Sequence, residues 1–189
     1  SMSTGPRPDF YRPENQRYLP IIQGTNMYRS LGLSIAVAVF ASDLISKWLI
    51  VNVVMDPART IDVFPFFNLV LGYNRGVTFG LLSSGNPIAP YLLSGFALLV
   101  VGVLARWLWR STVRLESAAI GSIIGGALGN VADRLADGAV TDFLDFYVGG
   151  YHWPGFNLAD VGIVLGVALF LVTWWSGETQ RDDGTAPKV

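Results

Sequence analysis

The chain contains no cysteine and only one histidine, His152. Without cysteine, the protein has no disulfide framework, no thiolate nucleophile and no cysteine ligands for zinc. A single imidazole cannot supply the paired histidines of a zinc protease, and a serine–histidine pair would depend entirely on His152. The sequence therefore argues against a zinc enzyme, and we expect neither a metal nor a cofactor.

Charged residues are also scarce. They make up 14% of the 189 residues, and the formal net charge is −1, so no basic excess indicates a nucleic-acid partner. Hydrophobic residues make up 51%, and the mean hydropathy of +0.44 is too high for an ordinary soluble domain. The composition predicts a membrane protein.

Four apolar segments have the length that a membrane-spanning helix needs, which is about 20 residues. They cover residues 30–54, 88–109, 115–132 and 156–175. The third is rich in glycine and ends in polar residues, so we expect the other three to bury it. The first does not resemble a cleavable signal peptide, because its apolar run is too long and a polar stretch precedes it. The sequence predicts an all-α membrane protein with four transmembrane helices in one domain, residues 29–176.

The two ends of the chain are polar. Residues 1–28 form a proline-rich extension that we expect to be mostly irregular and to begin with a tag remnant, Ser1. Residues 177–189 form a tail of mixed charge that we expect to be disordered. Four arginines precede the first span and three lie at the end of the second span or just after it, whereas the connection 55–87 has two. The positive-inside bias predicts that both termini are cytoplasmic.

The connection between the first two spans has the composition of a small β-element. Residues 60–71 are rich in β-branched and aromatic side chains, and residues 77–82 return to similar types. Gly72 and Gly76 between them are typical of a turn. This pattern predicts a hairpin whose turn lies near Gly72 and Gly76, at the outer face of the membrane.

Two aspartates, Asp142 and Asp160, bracket a loop between the last two apolar segments. A carboxylate at membrane depth costs roughly 2.5 to 3.5 kcal/mol, so it usually marks a functional site. Gly149-Gly150 and Pro154-Gly155 interrupt the loop and let the chain turn back. We expect the two carboxylates to meet, and the glycines at 149 and 150 would serve as hinges for closure over a substrate.

Other polar residues are expected at the same depth. At ~1.5 Å per residue, Asp43 lies about 21 Å along the first helix from Arg29, in the outer half of the membrane. The polar ends of the last two helices reach this level as well: Asn130, Asp133 and Arg134 end the third, and Asn157 and Asp160 begin the fourth. The sequence predicts one polar layer near the outer leaflet.

Several of these residues also have a structural interpretation. Asp43 and Lys47 are spaced i, i+4 and would form an intramembrane ion pair. Arg134 shares a helix face with Asn130, and it either binds substrate, pairs with Asp133 or extends to the membrane interface.

Glycines recur every four residues in the third span, at Gly121, Gly125 and Gly129. This repeat is typical of close helix packing, although the same bare groove would admit a substrate backbone.

The carboxylates after the third span are open to more than one assignment. Asn157 would cap the fourth helix and place Asp160 in its first turn, where the helix dipole favours a negative charge. Asp142 has no such structural interpretation, but Asp145 is near it in the chain, and the residues alone leave open which of them is the second carboxylate. His152 lies between two aromatic residues and is expected in the belt at the membrane surface.

A pair of carboxyl groups at this depth indicates hydrolysis. Two of them close together cannot both ionise, so one holds a proton while the other acts as a base on water. The pair titrates as a unit, and the sequence does not assign the proton. Nearby asparagine and arginine donors would hold a peptide backbone or stabilise the developing oxyanion. The expected substrate is a membrane-embedded peptide.

Two other classes of protein compete with this interpretation. A small proton-coupled transporter also uses aspartates within the membrane. Transporters place such groups near the midplane and often show repeated halves, whereas these groups lie to one side and the sequence has no internal repeat. A non-catalytic assembly subunit would explain the glycine repeat but not the carboxylates.

Five short blocks, in chain order, resemble the motifs of bacterial lipoprotein signal peptidase, also called signal peptidase II. The blocks are DLISK at 43–47, NRGVTF at 74–79, GGALGNVADR at 125–134, VTDF at 140–143 and FNLAD at 156–160. The resemblance covers about residues 30–175, and the ordered series is more specific than any single block. Arg75, Thr78 and the N-terminal extension depart from the family pattern.

The resemblance implies a four-helix aspartyl peptidase of the bacterial inner membrane with its active site near the outer leaflet. Such an enzyme removes the signal peptide of a lipidated prolipoprotein just before a diacylglyceryl-modified cysteine. It implies that Asp142 and Asp160, rather than Asp145, are catalytic.

The resemblance to this family also implies roles for other residues. Those implied to contact substrate or a globomycin-like inhibitor are Asn74, Asn130, Arg134 and Asn157; those implied to support the site are Asp43, Lys47, Asp133, Gly125 and Gly129. The β-element would cradle the substrate. The expected partners are prolipoprotein and membrane lipid, and the expected state is a monomer.

Overall fold

Four long helices form the body of the protein. The computed structural model describes residues 19–76 and 87–182, with side chains for 27–76 and 87–175. The helices are α1 (Leu19–Leu49, continued by a π-helical turn, Ile50–Val54), α2 (Ala89–Leu108), α3 (Arg114–Asp137) and α4 (Leu158–Asp182). Each contains a segment long and apolar enough to cross a membrane. The predicted four-helix membrane fold is confirmed.

Helix α3 lies at the centre of the bundle. In its apolar segment 56% of the residues are buried, against 11% to 22% in the other three. The expectation that the third span is buried is therefore confirmed. The exposed surfaces of the others carry large apolar side chains, such as Val37, Phe96, Leu99 and Val164, which suit contact with lipid rather than water.

The glycines of α3 explain how closely the helices approach. A Cβ atom at Gly121 would overlap the Gly32 carbonyl of α1, and one at Gly126 would overlap the Ala159 carbonyl of α4. Only residues without a side chain let backbones approach this closely. The glycine face of α3 is thus filled by α1 and α4.

Two helix ends differ from expectation. Helix α1 begins at Leu19, inside the segment predicted to be irregular, because Pro20 stands in the first turn, where its missing N–H costs nothing. Helix α4 continues to Asp182, inside the tail predicted to be disordered, since no proline interrupts it before Pro187. The remaining parts of these predictions, residues 1–18 and 183–189, lie outside the described residues.

A four-stranded antiparallel sheet stands at the end of the bundle where α1 and α3 finish and α2 and α4 begin. Its strands are β1 (Ile61–Phe64), β2 (Phe67–Asn74), β3 (Val140–Val148) and β4 (Tyr151–His152), in the order β1-β2-β3-β4. The predicted β-element is therefore present and larger than expected, because β3 and β4 come from the connection between the last two helices.

The predicted turn of the hairpin was wrong. The chain turns at Pro65-Phe66, and β2 runs on through Gly72 to Asn74. Proline cannot donate to a ladder of hydrogen bonds, so Pro65 ends β1 before the glycines are reached. The predicted second strand, residues 77–82, lies outside the described residues.

A small apolar cluster fixes the sheet to the bundle. Ile50 and Met55, at the end of α1, pack with Phe143 of β3 and with Leu158 of α4. Burial of such side chains contributes about 1.5 to 3 kcal/mol each. Because Phe143 follows Asp142 directly, this contact places the carboxylate beside the start of α4.

Candidate active site

Asn157 is the hub of the candidate site. It is fully buried, and its Oδ1 accepts a bond of 3.0 Å from the Asp160 backbone N–H. The Asn157 backbone N–H donates in return to Asp160 Oδ2 over 3.3 Å. This reciprocal arrangement is a capping box. Asp160 thus lies in the first turn of α4 as expected, and the cap leaves its other oxygen, Oδ1, for another donor.

The side-chain amide of Asn157 reaches the other aspartate. Its Nδ2 donates to Asp142 Oδ1 over 2.8 Å and to Asn130 Oδ1 over 3.2 Å. The Asn130 amide in turn donates to Asp160 Oδ1 over 2.8 Å. Each carboxylate therefore has its own amide donor, and the two amides are joined. A continuous hydrogen-bonded chain links Asp142 to Asp160.

The environment of Asp142 favours its protonated form. Burial raises the pKa of the Asp142 carboxyl to about 6, with a smaller contribution from the charge of Asp160. Hydrogen bonds from Asn74 and Asn157 and the charge of Lys47 oppose this shift. Asp142 is 6% exposed, whereas Asp160 is partly open to the surface. The two carboxylates differ in their surroundings, as the members of an acid–base pair do.

Beneath this pair lies a buried cluster of three charges. Lys47 Nζ is 2.7 Å from Asp43 Oδ2, 2.9 Å from Asp133 Oδ2 and 3.4 Å from Asn130 Oδ1. Each carboxylate also accepts a hydrogen bond from a backbone N–H group. Ala159 donates to Asp43 and Thr141 donates to Asp133, each over 2.9 Å. This cluster, Asp43–Lys47–Asp133, connects α1, α3, α4 and β3. We call it the ion cluster.

The sequence indicated part of the ion cluster. The Asp43–Lys47 pair has the predicted spacing, but Asp133 bonds Lys47 rather than Arg134. Spacing within one helix signals an ion pair, whereas nothing in the sequence signals a contact between residues 86 positions apart, as Lys47 and Asp133 are. Gly129 lies against the cluster, because a Cβ there would overlap the Asp43 carboxylate.

Arg134 borders the carboxylate pair and keeps a free donor. One guanidinium nitrogen donates to the Asn130 carbonyl over 3.2 Å, and the buried Nε has no hydrogen-bond partner among the described residues. The strongest electrostatic attraction on its charge comes from Asp160, followed by Asp142. Three roles were considered for Arg134: substrate binding, pairing with Asp133 and extension to the membrane interface. This geometry favours the first.

Asn74 and Asp145 lie on opposite sides of Asp142. Asn74 ends β2, bonds the Asp142 carboxyl and is exposed. Asp145 is three residues beyond Asp142, so its side chain points to the other face of β3. There its carboxylate accepts from His152 Nδ1 at 2.9 Å. The described structure thus joins Asp160 to Asp142 and keeps Asp145 apart.

Sequence reasoning missed the partner of His152, which it placed in an interfacial belt. Tyr151 and Trp153 beside it are indeed highly exposed. The signal that would have found the pair is a two-glycine turn with Asp145 and His152 on either side of it. Arg75 is exposed, Thr78 lies outside the described residues, and the described part of the chain holds no cluster of three or more histidines and carboxylates suited to a metal.

Comparison with known proteins gives consistent similarities. A family model described as signal peptidase (SPase) II matches residues 35–176. A lipoprotein signal peptidase of Methylocella silvestris is 44% identical over 144 residues, which are 76% of this chain and 84% of that protein. One of Methylobacterium sp. (strain 4-46) is 42% identical over 159 residues, which are 83% of this chain and 96% of that protein.

Two solved structures have the same fold. Both are described as bacterial membrane enzymes. One is 27% identical with a TM-score of 0.68, over 84% of this chain and 93% of that chain. The other is 29% identical with a TM-score of 0.66, over 76% of this chain and 91% of that chain.

Proposed function

The chain belongs to the signal peptidase II family, and from this premise we propose that it cleaves lipidated prolipoproteins with Asp142 and Asp160 as its catalytic pair. It is a multi-pass membrane peptidase that processes lipoproteins. Membership of this family removes the transporter and the assembly subunit as alternatives. The hydrogen-bonded chain from Asp142 through Asn157 and Asn130 to Asp160 is the observation that carries the catalytic assignment.

In the proposed mechanism the pair shares one proton, which resides mainly on Asp142. The raised pKa of the Asp142 carboxyl supports this placement. Asp160, partly open and attracted to Arg134, takes a proton from water as the water oxygen attacks the scissile carbonyl. Asp142 donates its proton to the carbonyl oxygen. When the tetrahedral intermediate collapses, the C–N bond breaks, the leaving amine takes the proton that Asp160 gained from water, and a hydroxyl of the intermediate returns a proton to Asp142.

The neighbouring donors would bind the substrate backbone. Arg134 Nε has no hydrogen-bond partner among the described side chains, so it is available to a carbonyl oxygen near the scissile bond. Asn74 lies at the open edge of the site, and Asn130 and Asn157 hold the carboxylates. Donors held in place before the reaction stabilise developing charge without reorganisation. A globomycin-type inhibitor would occupy the same donors.

The lipid of the substrate would supply proximity. With its acyl chains in the bilayer, the substrate diffuses in two dimensions and presents the scissile amide at the depth of the pair. We place the enzyme in the bacterial inner membrane, with both termini cytoplasmic and the sheet at the outer face. We take the acting unit to be a monomer of one domain, residues 29–176, because all the groups named above come from one chain.

Cleavage of matched precursors tests this function. A prolipoprotein with a diacylglyceryl-modified cysteine and the same precursor without lipid are incubated with the purified chain in detergent. We expect cleavage directly before the modified cysteine and at least tenfold slower cleavage of the unmodified precursor. Equal rates on the two precursors would contradict the lipid requirement, and cleavage elsewhere would contradict the proposed site of attack.

A further inference from the structure

The chain between Asp142 and Asp160 returns through a tight hairpin. Gly149 and Gly150 form its turn with φ values of 57° and 82°, and β4 pairs with β3 through only two residues, Tyr151 and His152. Positive φ at both central positions is the geometry of a two-residue hairpin turn. A regular ladder of two residue pairs leaves room for side-chain contacts to help fix the returning chain.

The register of the returning chain changes by one residue before it reaches the active site. His152 lies opposite Tyr147, and the Trp153 N–H donates to the Phe146 carbonyl over 2.7 Å. Continuing this register would place residue 155 opposite Leu144. Instead Phe156 pairs with Leu144, through bonds of 2.9 and 3.1 Å.

The extra residue lies in Pro154-Gly155, and it determines what meets Asp142. Asn157 follows the Phe156 bridge directly, and its amide reaches Asp142 from there. A slip of one residue along a strand turns every side chain to the opposite face. The contact between the cap of α4 and Asp142 therefore depends on the register set at the hairpin.

A side-chain pair anchors this register. Asp145 and His152 are diagonal neighbours on one face of the hairpin, and His152 Nδ1 lies 2.9 Å from both oxygens of Asp145. An ionised carboxylate only accepts hydrogen bonds, so Nδ1 carries the proton. Asp145 is 6% exposed, whereas the His152 side chain is 54% exposed. A buried carboxylate loses much by losing such a donor.

We infer that Asp145 and His152 are a positioning pair, which holds the returning chain in the register that brings Asn157 to Asp142 and Asp160 into the carboxylate pair. The inference rests on the proposed function. Neither residue touches the reacting atoms, and both act through the segment from Trp153 to Asn157.

Two substitutions of His152 separate its donor from its ring. His152→Asn keeps an N–H donor at the same distance along the side chain but removes the ring. In the unaltered chain this ring stacks on the Tyr147 ring, with 5.0 Å between the ring centroids. His152→Phe keeps a ring and removes the donor. We expect kcat of the Phe variant to fall roughly tenfold with KM nearly unchanged, and kcat of the Asn variant to stay within about twofold of the unaltered chain.

A second readout does not depend on activity. The amide hydrogens of Leu144 and Phe156 bridge the two segments, so hydrogen exchange of these amides reports the register. We expect faster exchange in His152→Phe than in His152→Asn, with exchange in α3 unchanged. Tyr151→Ala, at an exposed neighbour, is the matched control and should leave both measurements unaltered.

The outcomes are distinct. If the Phe variant is as active as the unaltered chain, or if the Asn variant is the impaired one, the inference is overturned and the ring is what matters. If all variants lose folded protein equally and retain kcat per folded molecule, the pair is structural only, which also overturns it. Failure of the unaltered chain to cleave would contradict the proposed function, while the exchange experiment would still decide the role of the pair.

Discussion

Two pairs of aspartates lie next to each other in this protein and differ in what surrounds them. In the ion cluster, both carboxylates bond Lys47 and each accepts a backbone N–H as well. Asp142 and Asp160 accept side-chain hydrogen bonds from neutral asparagine amides instead of from a lysine. The first arrangement gives its carboxylates a shared cation, whereas in the second burial raises the pKa of the Asp142 carboxyl to about 6. The same residue type is thus structural beside a lysine and suited to react beside amides.

The difference predicts where stability and activity separate. Sites that are arranged for chemistry are often poorly stabilised, because the groups that react are not fully paired. We therefore expect changes in the ion cluster to act mainly on folding, and changes in the carboxylate pair to act mainly on cleavage.

Removal of Lys47 should have the largest effect on stability. Lys47→Met leaves Asp43 and Asp133 buried side by side without their cation, and breaking a buried ion pair in this way costs about 3 to 5 kcal/mol. We expect a much lower melting temperature in detergent and little folded protein. Arg110→Met, at an exposed position after α2, is the control. A Lys47 variant that melts with the unaltered chain would show that the cluster does not hold the helices together.

Unlike Lys47→Met, the substitution Asp142→Asn should not destabilise the fold, and its effect on stability should depend on pH. The pKa of Asp142 in the folded chain, about 6, is above its ordinary value of 3.8, so the unfolded chain releases this proton first. The folded state therefore loses stability as pH rises from about 4 to 6, by up to about 3 kcal/mol. The amide removes this loss while keeping an oxygen for Asn157.

Melting temperatures at pH 4 and pH 7 test this expectation. The Asn variant should match the unaltered chain at the lower pH and equal or exceed it at the higher pH. Asp137→Asn, at an exposed position on α3, should show no such gain. A variant that becomes relatively less stable at pH 7 would mean that ionised Asp142 stabilises the fold.

A single methyl group should disturb the ion cluster without changing its charge. A Cβ at Gly129 would meet the Asp43 carboxylate, whereas one at Gly102 would meet nothing within 4 Å. Overpacking of this kind costs about 1 to 3 kcal/mol. Gly129→Ala should lower the melting temperature, and Gly102→Ala should leave it equal or slightly higher because alanine favours helix. Equal effects at the two positions would argue against tight contact at Gly129.

The smallest effect concerns the pH profile of cleavage. If the shared proton resides on Asp142, kcat/KM should decline as pH rises through an apparent pKa of about 6. Bound substrate excludes more water from the carboxyl and raises its pKa further. The decline of kcat should therefore occur at a higher pH than the decline of kcat/KM. Both limbs are read from initial rates between pH 4 and pH 9. A profile that is flat across this range would contradict a proton shared by the pair.

The sequence alone predicted what depends on local pattern. The number and position of the membrane-spanning segments follow from apolar runs, and the cap that joins Asn157 to Asp160 follows from their spacing. The pairing of β2 with β3 joins residues about 70 positions apart, such as Asn74 and Val140, and no local pattern reports such a contact. Pro65 ended the first strand earlier than the glycines suggested, because one missing N–H outweighs a favourable turn composition.

The long-range ion pairs were beyond sequence reasoning for a related reason. Lys47 has one carboxylate within its own helix turn and another on α3, and only the packing of α1 on α3 brings the second within reach. Asp145 posed the converse problem. Its distance from Asp142 along the chain is small, yet strand alternation turns the two side chains apart.

The most direct test of the central claim is cleavage of a diacylglyceryl-modified prolipoprotein by Asp142→Asn and Asp160→Asn, each compared with the unaltered chain and with Asp137→Asn. Loss of an acid or a base from a catalytic pair lowers the rate by about 10² to 10⁴-fold. We predict such a loss in both variants, with the melting temperature of Asp142→Asn at or above that of the unaltered chain, and full activity in the control. Cleavage at an undiminished rate by either variant would contradict the assignment of Asp142 and Asp160 as the catalytic pair.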